Sequence, residues 1–376
     1  MRLNNNNFFS WKKVLFLTLV PMLMASVTLS DKVSFPISQF FNLDPLSFQK
    51  AYYNVVNRDS NARYIDDPSH YITILDIHNI DSRRSIAEVI DNVCRLSPKV
   101  VGIDLIFDSY RNPDDDKFLA DVIYKNSGKL VLACGFDGKD YYYSFFGKDN
   151  LFSGAIGTYD PLRVKQYIDS SHREKSFPYL MAERGELLSP DIPNEVLINY
   201  TNRHFDVLTI TDSTDLVNFF SDEYNRRRIE DCNVIINDLS LPYDQHPGLF
   251  LINGQTSQHG AVLIAYQLFA LIDSEGRISN ASLWQNLLIC FLFTLLFSIA
   301  FCLLDYWIKK ANNRLLKGLA ILSKLLVLYV MEIVVFIFGM YFIMQKLIVP
   351  NSIFIMLSIL LMDTANYIYN ETVKSK

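Results

Sequence analysis

"KVVGIDLIFD" (Lys99–Asp108) is an apolar run that holds one glycine and one aspartate and closes on a second aspartate. A short continuous run of Val, Ile and Phe suits a strand buried on both faces, the habit of parallel sheets. Read as one strand, the run places Gly102, Asp104 and Ile106 on one face and Ile103, Leu105 and Phe107 on the other. A lone carboxylate inside such a strand is costly, so Asp104 needs partners. Backbone amides, or Arg83 or Arg84 from the preceding loop, are the expected ones.

Working outward, "YITILDI" (Tyr71–Ile77) repeats the buried-strand pattern upstream. Ser85 and Glu88 then have capping-box spacing, and Ile86, Val89, Ile90 and Val93 mark one helix face. Downstream, Phe118, Leu119, Val122 and Ile123 mark a second helix, and "KLVLACGF" (Lys129–Phe136) is a third strand. This βαβαβ order predicts an α/β domain with a mostly parallel sheet and helices on both faces. "CNVIIND" (Cys232–Asp238) is a further buried strand, and "GAVLIAYQLFALI" (Gly260–Ile272) a helix that stops before Gly276. "EVLINY" and "DVLTIT" read as short antiparallel additions, and Tyr141–Phe146 as an aromatic loop.

The chain has 376 residues, is 50% hydrophobic and carries a net charge of -5, which argues against a disordered or nucleic-acid-binding chain. Its apolar residues concentrate at the two ends. The hydropathy pattern predicts a cytoplasmic N-terminus (1–13), a transmembrane anchor or cleaved signal peptide (14–30) and an extracytoplasmic domain (31–284). After the domain come a span (285–308), a cytoplasmic basic loop (309–318), two more spans (319–344 and 347–369) and a cytoplasmic tail (370–376). Lys12 and Lys13, then Lys309, Lys310, Arg314 and Lys317, then Lys374 and Lys376 all fall on one side of that path, as the positive-inside rule requires. Glu332 and Asp363 are acids within the last two spans, where carboxylates are expensive and often functional. Cys94, Cys134 and Cys232 read as buried thiols, with a Cys134–Cys232 bridge as the alternative.

Open parallel sheets bind ligands beyond the carboxyl ends of their strands. Asp76, His78, Asp108, Asp137 and Asp238 fall at such ends, and Asp104, within the second strand, is a further candidate. Carboxylates converging there suit a hard cation; the same residues suit helix caps and loop amides. No metal and no cofactor is assigned. The chain has no Gly-rich phosphate loop, nucleophile elbow or metalloprotease helix motif, so no catalytic residue is named.

"ITILDIHNIDSRRSIAEVIDNVCRLSPKVVGIDLIF", "DDDKFLADVI" and "GKLVLA", followed by "SGAIGTYDPLRV", "CNVIIND" and "HGAVLIAYQLFALIDSEGRI", resemble the CHASE2 domain over nearly all of Tyr71–Ile278. The family is an extracytoplasmic sensory module of bacterial receptors, with one span before it and three after. The resemblance implies a multi-pass protein of the bacterial inner membrane, its large domain outside, binding a small ligand or an envelope protein. Two departures stand out. Ile264 precedes Ala265 where the family usually has a histidine, whose role would pass to His259 or His246. The family also usually continues into an output domain, whereas here Asn370–Lys376 follow the last span, which implies signalling through, or scaffolding of, a separate cytosolic or inner-membrane partner. The alternative is a metal-dependent envelope enzyme using the strand-end carboxylates; a homo-oligomeric anchor is a third reading.

Overall fold

The computed structural model describes residues 10–28, 70–145, 153–156, 162–168, 174–188, 192–241, 244–252, 255–280, 283–310 and 357–374, with scattered positions between 53 and 67 and between 318 and 349. It divides into two compact units, Tyr53–Ile278 and the two chain ends together, Met1–Tyr52 with Ser279–Lys376.

The first unit is built on a seven-stranded, mostly parallel sheet. Its central strands are β1 (Ile72–Asp76), β2 (Val100–Ile103), β3 (Leu130–Phe136) and β9 (Asn233–Asn237). The order is β4-β3-β2-β9-β1-β8, with β4 (Tyr141–Tyr142) antiparallel on β3, β5 (Ser153–Ile156) parallel to β3, and β8 (Asp206–Thr209) parallel to β1. β9 lies between β2 and β1, matching Gly102 to Ile235 on one side and Ile74 to Ile235 on the other.

Helices α2 (Arg83–Arg95) and α3 (Pro113–Lys125) cover one face. Val89, Ile90 and Val93 of α2 and Leu119, Val122 and Ile123 of α3 share a buried cluster with Val101, Ile103, Leu132, Val234 and Ile236 of the sheet. Each such side chain, fully buried, contributes about 1.5–3 kcal/mol. The short helices α5 (Leu216–Ser221) and α6 (Glu223–Arg227) follow β8, and Leu216 and Phe220 of α5 join the same cluster. The other face carries α4 (Phe177–Arg184) and α7 (Gly260–Ile272), which touch each other as well as the sheet. Gly102 makes room for α4: a Cβ there would stand 2.7 Å from Met181 Cε and 2.8 Å from Phe177 Cζ.

Caps fix where the helices start. Ser82, extended, accepts a bond from the Ser85 amide at 3.0 Å and opens α2 three residues before the capping box expected at Ser85. Asn112 does the same for α3, with Pro113 at its first position and Asp114–Asp116 favouring its positive end.

Two smaller elements complete the unit. β6 (Arg163–Lys165) and β7 (Glu195–Ile198) pair antiparallel, and β7 takes Arg277 and Ile278 of β12 (Arg277–Asn280) on its other edge. β10 (Gln245–Ile252) and β11 (Gln255–His259) form a hairpin with a register shift between Pro247 and Ile252, the kind of place where a strand tolerates proline.

Two expectations change, at Asp104 and at "DVLTIT", and the buried-thiol reading of the cysteines holds. The strand in "KVVGIDLIFD" ends at Ile103, so Asp104 stands at its carboxyl end and not inside it. "DVLTIT" joins the main sheet in parallel as β8, while "EVLINY" is antiparallel in the small sheet. All five cysteines are free thiols, and Cys94, Cys134 and Cys232 are buried.

The second unit contains α1 (Trp11–Thr28), α8 (Leu283–Lys310) and α9 (Met362–Lys374). Lys13 pairs with Asp305 at 2.9 Å, and the Thr18 hydroxyl donates to Ser298 at 3.1 Å, so α1 and α8 run antiparallel. Tyr369 of α9 packs tilted against Phe16, with ring centroids 5.3 Å apart, which brings the end of α9 to the Lys13–Asp305 end of the bundle. Leu17, Phe293, Phe297, Phe301, Ile359, Met362 and Ala365 are buried between the helices. So are Thr18, Thr294, Ser298 and Ser358. Trp284, Leu288, Leu292, Leu296, Leu303 and Trp307 are exposed along α8, as are Trp11, Leu15, Leu19 and Leu23 along α1.

Among the described residues, one helix segment, Leu287–Trp307, is long and apolar enough to cross a bilayer. Most of the span expected over 319–344, Glu332 included, lies outside the described residues, and that over 347–369 is described from 357 on apart from 348 and 349. Asp363 is exposed on α9.

Candidate functional site

The carboxyl ends of β1, β2 and β9 bring Asp76, Asp104 and Asn237 to one edge of the sheet. The hairpin adds the remaining groups: Gln245 pairs with His259 across it, so Asp244, just before β10, comes beside His259 at the start of α7. Gly260 permits this approach, because a Cβ there would collide with the Asp244 carboxylate.

His259 is 7% exposed, and its Nδ1 lies 2.8 Å from Asp244 Oδ2, bent away from hydrogen-bond geometry. His246 Nε2 lies 3.4 Å from the other Asp244 oxygen. Burial by itself would raise the Asp244 pKa, but the two histidines hold it below the ordinary aspartate range. Burial would likewise lower the His259 pKa, and Asp244, then Asp104 and Asp76, raise it instead.

Asp104 is shifted the other way. Desolvation, then repulsion from Asp244, pushes its carboxyl up to about 7, against the pull of a hydrogen bond from Asn237 Nδ2 and of His259. The expected arginine partners are engaged elsewhere: Arg83 and Arg84 lie in α2, where they pair with Asp116 and Asp115. Asn237 is 3% exposed, and its Oδ1 has no hydrogen-bond partner among the described residues.

Two clefts meet at this edge, and Asp104, Asp244 and Ile156 line both. The larger, about 730 Å³, adds Phe136, Tyr142, Ile264, Asp137 and Lys165 among its walls. The smaller, about 480 Å³, adds Asp81, Asp108, Asn237 and Asp238.

The other residues expected at the site divide. Asp76 is a brace: it accepts from the amides of His78 and Leu239, both at 3.1 Å, and from the His78 ring at 2.8 Å, and neither it nor His78 lines either of these two clefts. Asp238 lines the smaller cleft while accepting from Ser240 N and Oγ at 2.9 and 2.6 Å. Asp108, exposed, accepts from Ser109 Oγ at 3.0 Å. Asp137 accepts from the Lys139 and Asp140 amides and the Tyr142 hydroxyl, bonds that hold its carboxyl down at about 2. Loop bonding and cleft lining thus coexist in the same carboxylates. Asp244 was missed from the sequence; the only signal for it was its place before His246. Among the described residues no three His, Cys, Asp or Glu side chains gather to hold a metal ion.

A pH dependence follows from Asp104. Its folded value lies above the ordinary 3.8, so the folded state keeps a proton that the unfolded chain releases, and stability falls as pH rises from 3.8 to about 7, then levels off. Asp104→Asn is expected to remove that slope. Denaturant midpoints of parent and variant across this range test it; parallel profiles would refute the assignment.

Comparison with family models, with curated proteins and with solved structures returns no match to this chain.

Proposed function

We propose that the chain is a multi-pass bacterial inner-membrane protein whose CHASE2-like α/β unit, outside the membrane, receives a small ligand or an envelope protein and signals through, or scaffolds, a separate partner. The observation that carries the membrane half is the apolar outer surface of the helical unit, whose interior mixes hydroxyls with its apolar side chains. Its exposed stripes are leucine and tryptophan, while its interior holds Thr18, Thr294, Ser298 and Ser358. Thr18 and Ser298 bond across helices, as hydroxyls do where lipid surrounds a bundle. Trp284 and Trp307 stand 23 residues apart in sequence, roughly 34 Å along a helix, close to the thickness of a bilayer core with an aromatic residue at each boundary.

The lysines support the orientation. Lys13 sits at the end where α8 and α9 finish, and Lys309, Lys310 and Lys374 follow at those helix ends in sequence, so one cytoplasmic side accommodates them all. The sensory half is supported by the sheet-edge clefts, because ligands of parallel sheets bind there. A ligand shifts such a receptor only by its differential affinity for two states.

Extraction of the tagged full chain in a mild detergent is expected to retain a second, different polypeptide, and deletion of residues 285–369 to release it. Recovery of the chain alone, or solely as self-oligomers, would overturn the partner reading.

A further inference from the structure

The joined clefts are acidic. Asp104 and Asp244 line both, Asp137 the larger, and Asp81, Asp108 and Asp238 the smaller. Of the basic residues on the same walls, Arg83 is held by Asp116 and Arg163 by Glu195, and His246 leans on Asp244; Arg111 and Lys165 complete the set. The second observation is independent of charge. Asn237 lines the smaller cleft, is almost fully buried, spends its amide nitrogen on Asp104, and leaves Oδ1 without a donor. Buried amide oxygens are normally satisfied, and one left unpaired beside two repelling carboxylates marks a place for a donor-rich group.

We propose that this edge binds a small organic amine, with its ammonium taken by Asp104, Asp244 and Asn237 Oδ1 and its apolar stem lying along Phe136, Tyr142, Ile156 and Ile264. An ammonium presents three donors and no acceptor, which matches walls whose polar atoms are mainly carboxylate and amide oxygens. Its charge relieves the repulsion between Asp104 and Asp244, and the aromatic walls suit a cation on an aliphatic stem. A bare metal ion fits less well, since no three ligating side chains are gathered for one among the described residues. The ammonium could come from a free diamine or from a lysine-type side chain on an envelope peptide; both carry the same chemistry.

The inference rests on the reading that the α/β unit receives a ligand, but its test is separate from partner retention, so either can fail alone. The full chain in detergent would be titrated calorimetrically with putrescine, with N-acetyl-lysine amide, and with n-butanol and calcium as controls. Putrescine or the lysine amide is expected to bind, at least about tenfold more tightly than butanol, and about tenfold more weakly to Asp104→Asn. Binding by putrescine alone assigns a free diamine; binding by the lysine amide assigns a peptide-borne amine.

The unaltered protein supplies a check that needs no variant. As pH rises through about 7, Asp104 ionises, and His259, whose pKa lies above its ordinary value, gives up its charge beside Asp244 as pH rises further; both changes strengthen a cation site, whose other facing groups are His246 and Asp76. Amine affinity should therefore rise across that range. Affinity that is flat or falls with pH, binding no tighter than butanol, binding undiminished in Asp104→Asn, or heat from calcium with none from either amine would each overturn the proposal.

Discussion

Arg83→Met is expected to destabilise the α/β unit by about 3–5 kcal/mol, the cost of taking one partner from a buried ion pair. The Arg83 side chain is 5% exposed and Asp116 opposite it 2%. The guanidinium bonds the Asp116 carboxylate and the Ser109 carbonyl, and lies 5.7 and 5.1 Å from the ring centres of Phe107 and Phe145. It therefore ties α2, α3 and the loop after β2 together at one point. Methionine keeps the stem and removes the charge, which leaves Asp116 with only the Arg111 amide, at 2.8 Å, and its own helix start. Urea midpoints would measure the loss. Because a buried pair is costly to desolvate, the double variant Arg83→Met/Asp116→Leu is expected to recover most of it. A single variant within about 1 kcal/mol of the parent would show that the site is solvated and the pair weak.

Gly154→Ala is the second large effect. A Cβ at Gly154 would stand 2.5 Å from the Phe177 Cα and 3.1 Å from its nitrogen. Those atoms are backbone at the first residue of α4, where β5 and the helix meet, so neither can swing away. Overpacking of this kind costs about 1–3 kcal/mol and occasionally more, and the upper end is expected here. Gly102→Ala is the internal comparison. It would meet Met181 and the Phe177 ring, and a thioether end moves easily, so the loss should be smaller. Equal losses at the two positions, measured by the same midpoints, would refute the backbone argument.

These two sites show what was legible in the sequence. Uninterrupted apolar runs announced β1, β2, β3 and β9, and period-3.6 spacing announced the buried faces of α2 and α3, because burial on both sides leaves strong one-dimensional patterns. Boundaries were less legible. Ser82 and Ser85 both sit three residues ahead of a plausible partner, and the choice between them depends on where the chain turns from β1 to α2. "DVLTIT" carries no mark of its direction, which is set by the strand it meets. The site was legible only where its residues end strands, as Asp104, Asp108 and Asp238 do or nearly do. Asp244 and His259 are brought together by a hairpin register, and Asn237 acquires its role from Asp104 across two paired strands. Arg83 and Arg84 looked like neighbours of Asp104 because they precede it, yet as helix residues they point to α3. None of these pairings has a signature in local spacing.

The place of β9 has a consequence for how the chain folds. β1 and β2 are consecutive in sequence, yet each bonds β9 and neither bonds the other. Until Asn233–Asn237 has left the ribosome, the β1–β8 half and the β2–β3 half have no common strand, and the hydrophobic faces meant for the gap stay open. Such long-range closure slows folding and prolongs exposure of sticky edges. Synthesis past Asn237 is thus a checkpoint, and a nascent chain stalled before it would be the natural client of a holding chaperone.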